Sequence, residues 1–127
     1  MRALIVDDIF TNRLLLAEIM RNLEIEFDDG AAYKYTCEFL RVHSPSAEVT
    51  GHGPGEEILQ VGKEGVNITA IEPVGHYAVK LVFDDDHDTG LFSWQYLHEL
   101  GASYDEKWQH YLGRLKEAGV EHKEIAN

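Results

Sequence analysis

Leu23, Ile25 and Phe27 alternate with Glu24, Glu26 and Asp28, and the alternation stops at Asp28-Asp29-Gly30. A period of two means a strand with one dry face and one wet face. Asp-Gly supplies the positive φ that a tight reversal requires, and Tyr33, Tyr35 and Cys37 resume the alternation behind it, so this segment is predicted to be a β-hairpin. A lone hairpin is marginal in water, so the rest of the chain must cover its apolar face.

The remaining patterns supply that cover. Residues 38 to 42 are predicted to make a short helical turn that ends at Ser44-Pro45-Ser46, because a proline restricts the residue before it. Beyond the glycine-rich Gly51-His52-Gly53-Pro54-Gly55, residues 66 to 71 and 77 to 83 are predicted to form a second hairpin through Pro73-Val74-Gly75. Tyr77, Val79, Leu81 and Phe83 would be its apolar face. Trp108, Tyr111, Leu112 and Leu115 then fall at i, i+3, i+4 and i+7, the stripe of a helix that ends near Gly119. Strands first and helices last predict an α+β domain: a small antiparallel β-sheet built from hairpins, with C-terminal helices packed on one face.

A chain of 127 residues has room for one core. Residues 22 to 127 read as that domain and residues 1 to 21 as an N-terminal extension, either strand or helix. Within the extension, Leu4-Ile5-Val6-Asp7-Asp8 and Asn12 to Leu16 look like the opening strand and helix of a response-regulator receiver. The hairpin patterning after Arg21 replaces the alternating βα units a receiver needs, so no phosphotransfer is expected at Asp7 or Asp8.

The 23 acidic against 11 basic residues give a formal charge of -12, which disfavours phosphate backbones and anionic lipid and suits a protein partner, a cation or a metal centre. Asp7 and Asp8 interrupt the only signal-like start, no apolar run approaches the length of a membrane span, and the single cysteine cannot form an intramolecular disulfide. The expected setting is cytoplasmic.

Six motifs occur in order: Phe27-Asp28-Asp29-Gly30, the run from Leu40 to Val49, Gly51-His52-Gly53-Pro54, Ile71-Glu72-Pro73-Val74-Gly75, Tyr77-Ala78-Val79, and His87-Asp88-Thr89-Gly90 with Ser93-Trp94. Together they resemble the gamma-butyrobetaine hydroxylase N-terminal-like family, long regarded as a domain of unknown function, over about residues 22 to 120. The resemblance implies a compact α+β domain that occurs alone in bacteria, fused to iron-sulfur carrier ATPases of the Mrp type, or ahead of the oxygenase domain of carnitine-pathway hydroxylases. In those hydroxylases it implies a structural zinc held by three cysteines and a histidine. Here Ser44, Ser46 and Val49 stand where the cysteines would be and only His87 matches the fourth ligand, so zinc binding does not carry over. The iron and 2-oxoglutarate site belongs to the hydroxylases' other domain and does not carry over either. Asp86 stands where the family usually has glycine.

Among the residues themselves, His98-Glu99 lacks the second histidine of a zincin, and the Asp84 to Gln95 stretch lacks the glycine and glutamate of an EF-hand. A looser divalent-cation site at His87, Asp85 and Asp88 remains, with His43 or His52 as further donors; no cofactor is firmly implied. Ser44 or Ser46 as a nucleophile with His43, His52 or His87 as base is weighed against capping and turn roles beside a proline. Arg41 is expected to pair internally with Glu48 or Asp88, or to meet a partner's carboxylate. Arg41, His43, Ser44, Ser46, Glu48, His52 and Trp94 make up the expected interaction surface. The functional expectation is a non-enzymatic binding or accessory module acting on a protein partner, an iron-sulfur carrier ATPase or another metalloprotein, with no nucleic-acid or membrane partner. The alternatives are a metal-binding protein or metal-dependent enzyme centred on His87, and a purely structural subunit.

Overall fold

The computed structural model describes residues 3–5, 14–20, 22–51, 55 and 57–123. Asp7, Asp8 and His52 lie outside the described residues. The antiparallel strands form two sheets. The first has the order β1-β3-β4, from β1 (Ala3–Ile5), β3 (Asn22–Phe27) and β4 (Ala32–Thr36). The second has the order β2-β5-β6-β7, from β2 (Leu14–Met20), β5 (Ile68–Val74), β6 (Ala78–Phe83) and β7 (Leu91–Ser93). Among the described residues four helices accompany the sheets: α1 (Cys37–Val42), α2 (Ala47–Thr50), α3 (Trp94–Ala102) and α4 (Tyr104–Glu117). The α+β class with antiparallel hairpins and terminal helices is the class read from the sequence, with the strands divided between two sheets.

The first hairpin forms as the alternation dictates. Leu23, Ile25 and Phe27 are buried and the residues between them exposed. Leu23 pairs with Tyr35 and Ile25 with Tyr33 across the ladder, and Gly30 turns the chain at φ 89. Cys37 is not on the return strand. Thr36 ends β4 by accepting a hydrogen bond from Phe39 N at 3.1 Å, so the chain enters a helix one residue earlier than the alternation suggests. Cys37 is buried as expected, but as the first residue of α1.

The second hairpin is shifted relative to the prediction. β5 runs on through Pro73 to Val74, and the turn falls at residues 75 to 77. Tyr77 therefore sits in the turn, 64% exposed, while Val79, Leu81 and Phe83 point inward. Within the expected N-terminal extension, the described residues are strands: β1 pairs with β3, and β2 pairs with β5 through a register shift.

Two apolar clusters result. The larger joins the hairpins to α1 and α3 through Phe39, Leu40, Phe83, Phe92, Leu97 and Leu100. The smaller joins Val42 to Tyr111 and Leu115 of α4, with Leu59, Leu112 and Val120 packed against it. Trp108 is half-buried and touches both clusters, so the α4 stripe anticipated from its periodicity ties the C-terminal helix to α1. Among the described residues no helix is long and apolar enough to cross a membrane.

Candidate functional site

Two neighbouring loops bring the polar residues together. The connection from α1 to α2 carries Ser44 and Ser46; the loop from β6 to β7 carries Asp85, His87 and Thr89. Ser46 caps α2, its hydroxyl accepting from Glu48 N at 3.2 Å, which directs the Glu48 side chain toward the second loop.

A closed ring of hydrogen bonds follows. His87 Nδ1 lies 2.8 Å from Glu48 Oε2, and His87 Nε2 lies 2.8 Å from Ser44 Oγ. Thr89 donates to the same Glu48 oxygen at 3.0 Å and lies 2.7 Å from Ser46 Oγ. Ser46 N donates to Ser44 Oγ at 3.4 Å and closes the circuit. One proton arrangement satisfies every contact. Neutral His87 donates through Nδ1 to the carboxylate and accepts from the Ser44 hydroxyl at Nε2, while Ser46 donates to Thr89 and Thr89 to Glu48. Burial lowers the proton affinity of His87 and Arg41 lowers it further, against the opposing pull of Glu48 and Asp85, so the neutral form is favoured.

Behind the ring stands an ionic brace. Arg41 is only 6% exposed, and its Nε donates to Asp85 Oδ2 at 2.9 Å while Nη1 donates to Gln60 Oε1 at 3.0 Å. Lys63 Nζ reaches the same Asp85 oxygen at 2.7 Å, and His87 N donates to Asp85 Oδ1 at 3.3 Å. Burial alone would raise the Asp85 carboxyl, but Lys63 and Arg41 hold it below the usual carboxylate range. Arg41 thus pairs internally, with Asp85 and not with Glu48 or Asp88. Its guanidinium is occupied, as a buried charge requires.

Serine, histidine and glutamate in this connectivity match a nucleophile, base and orienting acid. Access decides otherwise. Ser44 is 0% exposed and His87 3%, whereas Glu48 at the far end has a side chain 63% exposed. Gly90 seals the serine, since a Cβ built there would lie 2.2 Å from Ser44 Oγ. The ring is a cross-tie between two loops. Burial also removes Arg41, Ser44 and Ser46 from the expected interaction surface, and Trp94 packs against the main core.

The metal reading does not assemble. Both ring nitrogens of His87 are engaged, Asp85 is committed to two cations, and among the described residues no group of three His, Cys, Asp or Glu is arranged to hold a metal ion. Asp88 is exposed beside them. The zinc that the resemblance implies for related hydroxylases fares no better: the hydroxyls of Ser44 and Ser46 are spent within the ring, and Val49 carries no donor atom. This donor set does not fit a closed tetrahedral zinc site.

Sequence reasoning missed the open feature next door. A cleft of about 700 Å³ runs between α4 and the segment of α1 and α2, lined in part by Val42, His43, Val49, Lys107, His110 and Arg114. Tyr96 also lines it, and its hydroxyl donates to His43 O at 2.6 Å, with burial pushing that phenol up to about 12. The signal was present in the spacing of Lys107, His110 and Arg114 along one helix, but nothing local says what that face meets.

An antiparallel two-sheet α+β domain with a sealed polar cross-tie beside an open cleft is the class this structure defines. The chain belongs to the gamma-butyrobetaine hydroxylase-like, N-terminal family, whose model matches residues 15–98. Two proteins solved by solution NMR are similar to it. One is 49% identical, covering 92% of this chain and 86% of its own, with a TM-score of 0.71; the other is 43% identical, covering 92% and 95%, with a TM-score of 0.69. A crystal structure of a protein of unknown function from Acidithiobacillus ferrooxidans, belonging to the DUF971 family, is 40% identical over 72% of this chain and 93% of that one, with a TM-score of 0.54. No curated protein matches.

Proposed function

We propose that this chain is a non-enzymatic binding module, an accessory to a protein partner in the cytoplasm. The observation that carries the reading is the burial of the Ser44–His87 pair, which leaves the one triad-like arrangement among the described residues without an approach for substrate. A hydroxyl with no exposure serves structure, and recognition falls to the open cleft and its rim. The charge of -12 favours a protein or cationic partner over nucleic acid or anionic membrane. The iron-sulfur carrier ATPase or another metalloprotein is the partner class suggested by the family's fusions.

The test is affinity purification of the tagged chain from its native host, read by mass spectrometry. One stoichiometric metalloprotein partner is the expected result. Covalent labelling of Ser44 by a fluorophosphonate, or stoichiometric metal lost in His87→Ala, would replace the binding module with an enzyme or a metal-binding protein.

A further inference from the structure

The cleft beside α4 has a chemistry of its own. Lys107, His110 and Arg114 follow each other at i, i+3 and i+7, so α4 turns all three to one side, and all three line the cavity. Val42 and Val49 line it as well, together with Tyr111, whose hydroxyl is occupied by donating to Gln60 O at 2.7 Å. The volume, about 700 Å³, falls within the range of small-ligand sites.

Charge is distributed unevenly around this space. Elsewhere in the described chain several cations are ion-paired: buried Arg41 and part-buried Lys63 share Asp85, and part-buried Lys80 meets Glu72 at 3.1 Å. Among the described residues none of Lys107, His110 and Arg114 forms an ion pair. Arg114 places one nitrogen, Nη2, on Glu57 O at 3.0 Å, which leaves further donors on its guanidinium. Two acids also line the cleft, Glu57 and Glu106. Backbone N–H groups, its own and that of Gly55, lower the Glu57 carboxyl first, and Arg114 and His110 lower it further without coming within ion-pair distance.

His43 reports the field inside. It is held by a 2.8 Å contact from Nδ1 to Phe39 O and lies against the Phe39 ring at 4.3 Å. Burial first, then Lys107, His110 and Arg114, lower its proton affinity, with the Phe39 carbonyl opposing. The leading charged groups acting on it across the cleft are these three basic side chains. Three donors on one wall and aliphatic or aromatic groups opposite form a site for a molecule with one anionic end.

We infer that this cleft binds a carboxylate carried on a short apolar body, with Lys107, His110 and Arg114 receiving the carboxylate and Val42, Val49 and Tyr111 packing on the body. This deepens the binding-module reading and rests on it. Planar carboxylate is the anion that a guanidinium fork matches best, and the apolar lining disfavours fully hydrated inorganic anions. The carboxylate is that of a free small acid or the C-terminus of a polypeptide.

The experiment is an NMR titration of the ¹⁵N-labelled full chain with sodium hexanoate, with hexanamide as the neutral isostere. A hexapeptide ending in leucine, free or amidated at its C-terminus, forms the second arm. The expected result is saturable shifts confined to residues 42 to 50 and 106 to 114 with the carboxylates and none with the amides. The tighter of the two carboxylates identifies the source. Lys107→Gln should weaken binding about tenfold, the loss of one charge-assisted hydrogen bond. Arg114→Gln should do at least as much, but it also frees Glu57 O, so Lys107→Gln is the cleaner variant. No saturable shift with either carboxylate, equal binding of the amides, or unchanged affinity in both variants would overturn the site. The titration uses no partner, so failure to recover a metalloprotein and failure of carboxylate binding are separate results.

Discussion

Gly90→Ala and Ser44→Ala should be strongly coupled, because the same atom carries both penalties. In the native chain a Cβ at position 90 would sit 2.2 Å from Ser44 Oγ, 3.2 Å from Phe92 Cε1 and 3.4 Å from Ser44 Cβ. The first distance is impossible, so Gly90→Ala must expel the hydroxyl from its place 2.8 Å from His87 Nε2. That leaves a buried acceptor unsatisfied, about 1–3 kcal/mol, and adds overpacking of about 1–3 kcal/mol. Ser44→Ala alone loses the hydrogen bond without the overpacking, about 1–3 kcal/mol. In the double variant the clashing oxygen is already gone, and only the tight contact with Phe92 remains. The sum of the single effects should therefore exceed the double effect by about 1–3 kcal/mol. Urea denaturation midpoints, with slopes checked for two-state behaviour, measure all four corners. Additivity within about 0.5 kcal/mol would mean that Ser44 Oγ does not occupy this position, and the sealed cross-tie would fall with it.

Three further outcomes are expected. His43 and His87 both have lowered proton affinity, so below about pH 6.5 the unfolded chain binds more protons than the native one. Stability should be complete above that pH and fall as pH drops toward the lowered native values, with a shallower slope between pH 5 and 6.5 in His87→Asn; an unchanged slope would count against the burial argument. Asp86 holds φ 67, the one non-glycine residue at positive φ among those described, so Asp86→Gly should be neutral or stabilising by up to about 1 kcal/mol and Asp86→Val destabilising by about 1–2 kcal/mol in thermal melts. Trp108→Ala should cost about 3 kcal/mol, since its half-buried ring bridges both apolar clusters; an unaltered midpoint would detach α4 from the core.

Local rules sufficed wherever one residue's neighbours in sequence decide its environment. The alternation at Leu23, Ile25 and Phe27, the Asp-Gly turn and the α4 stripe are all period effects, and each element formed where its period predicted. The shift of Tyr77 into a turn came from β5 continuing through Pro73, which only pairing with β6 decides. Ser44, Glu48 and His87 were legible as candidate residues. Their ring was not, because 43 residues separate Ser44 from its histidine and no spacing rule relates a helix–helix connection to a distant β6–β7 loop. From sequence Arg41 is expected to pair with Glu48 or Asp88 or to meet a partner's carboxylate, yet its actual partner Asp85 emerges only when the β6–β7 loop packs beside α1. Burial then reversed the chemistry: a serine, a histidine and a carboxylate suggest catalysis by type, and packing by Gly90 turns them into a clasp. The cleft is the opposite case, since its cations were visible along α4 but acquired a facing wall of valines only when α4 docked beside α1. Sequence thus determined which faces are dry and which residues are reactive in kind, because those depend on local period and side-chain chemistry. Tertiary structure alone decided which of those groups meet and which remain open to solvent, because contact and access depend on how distant segments pack.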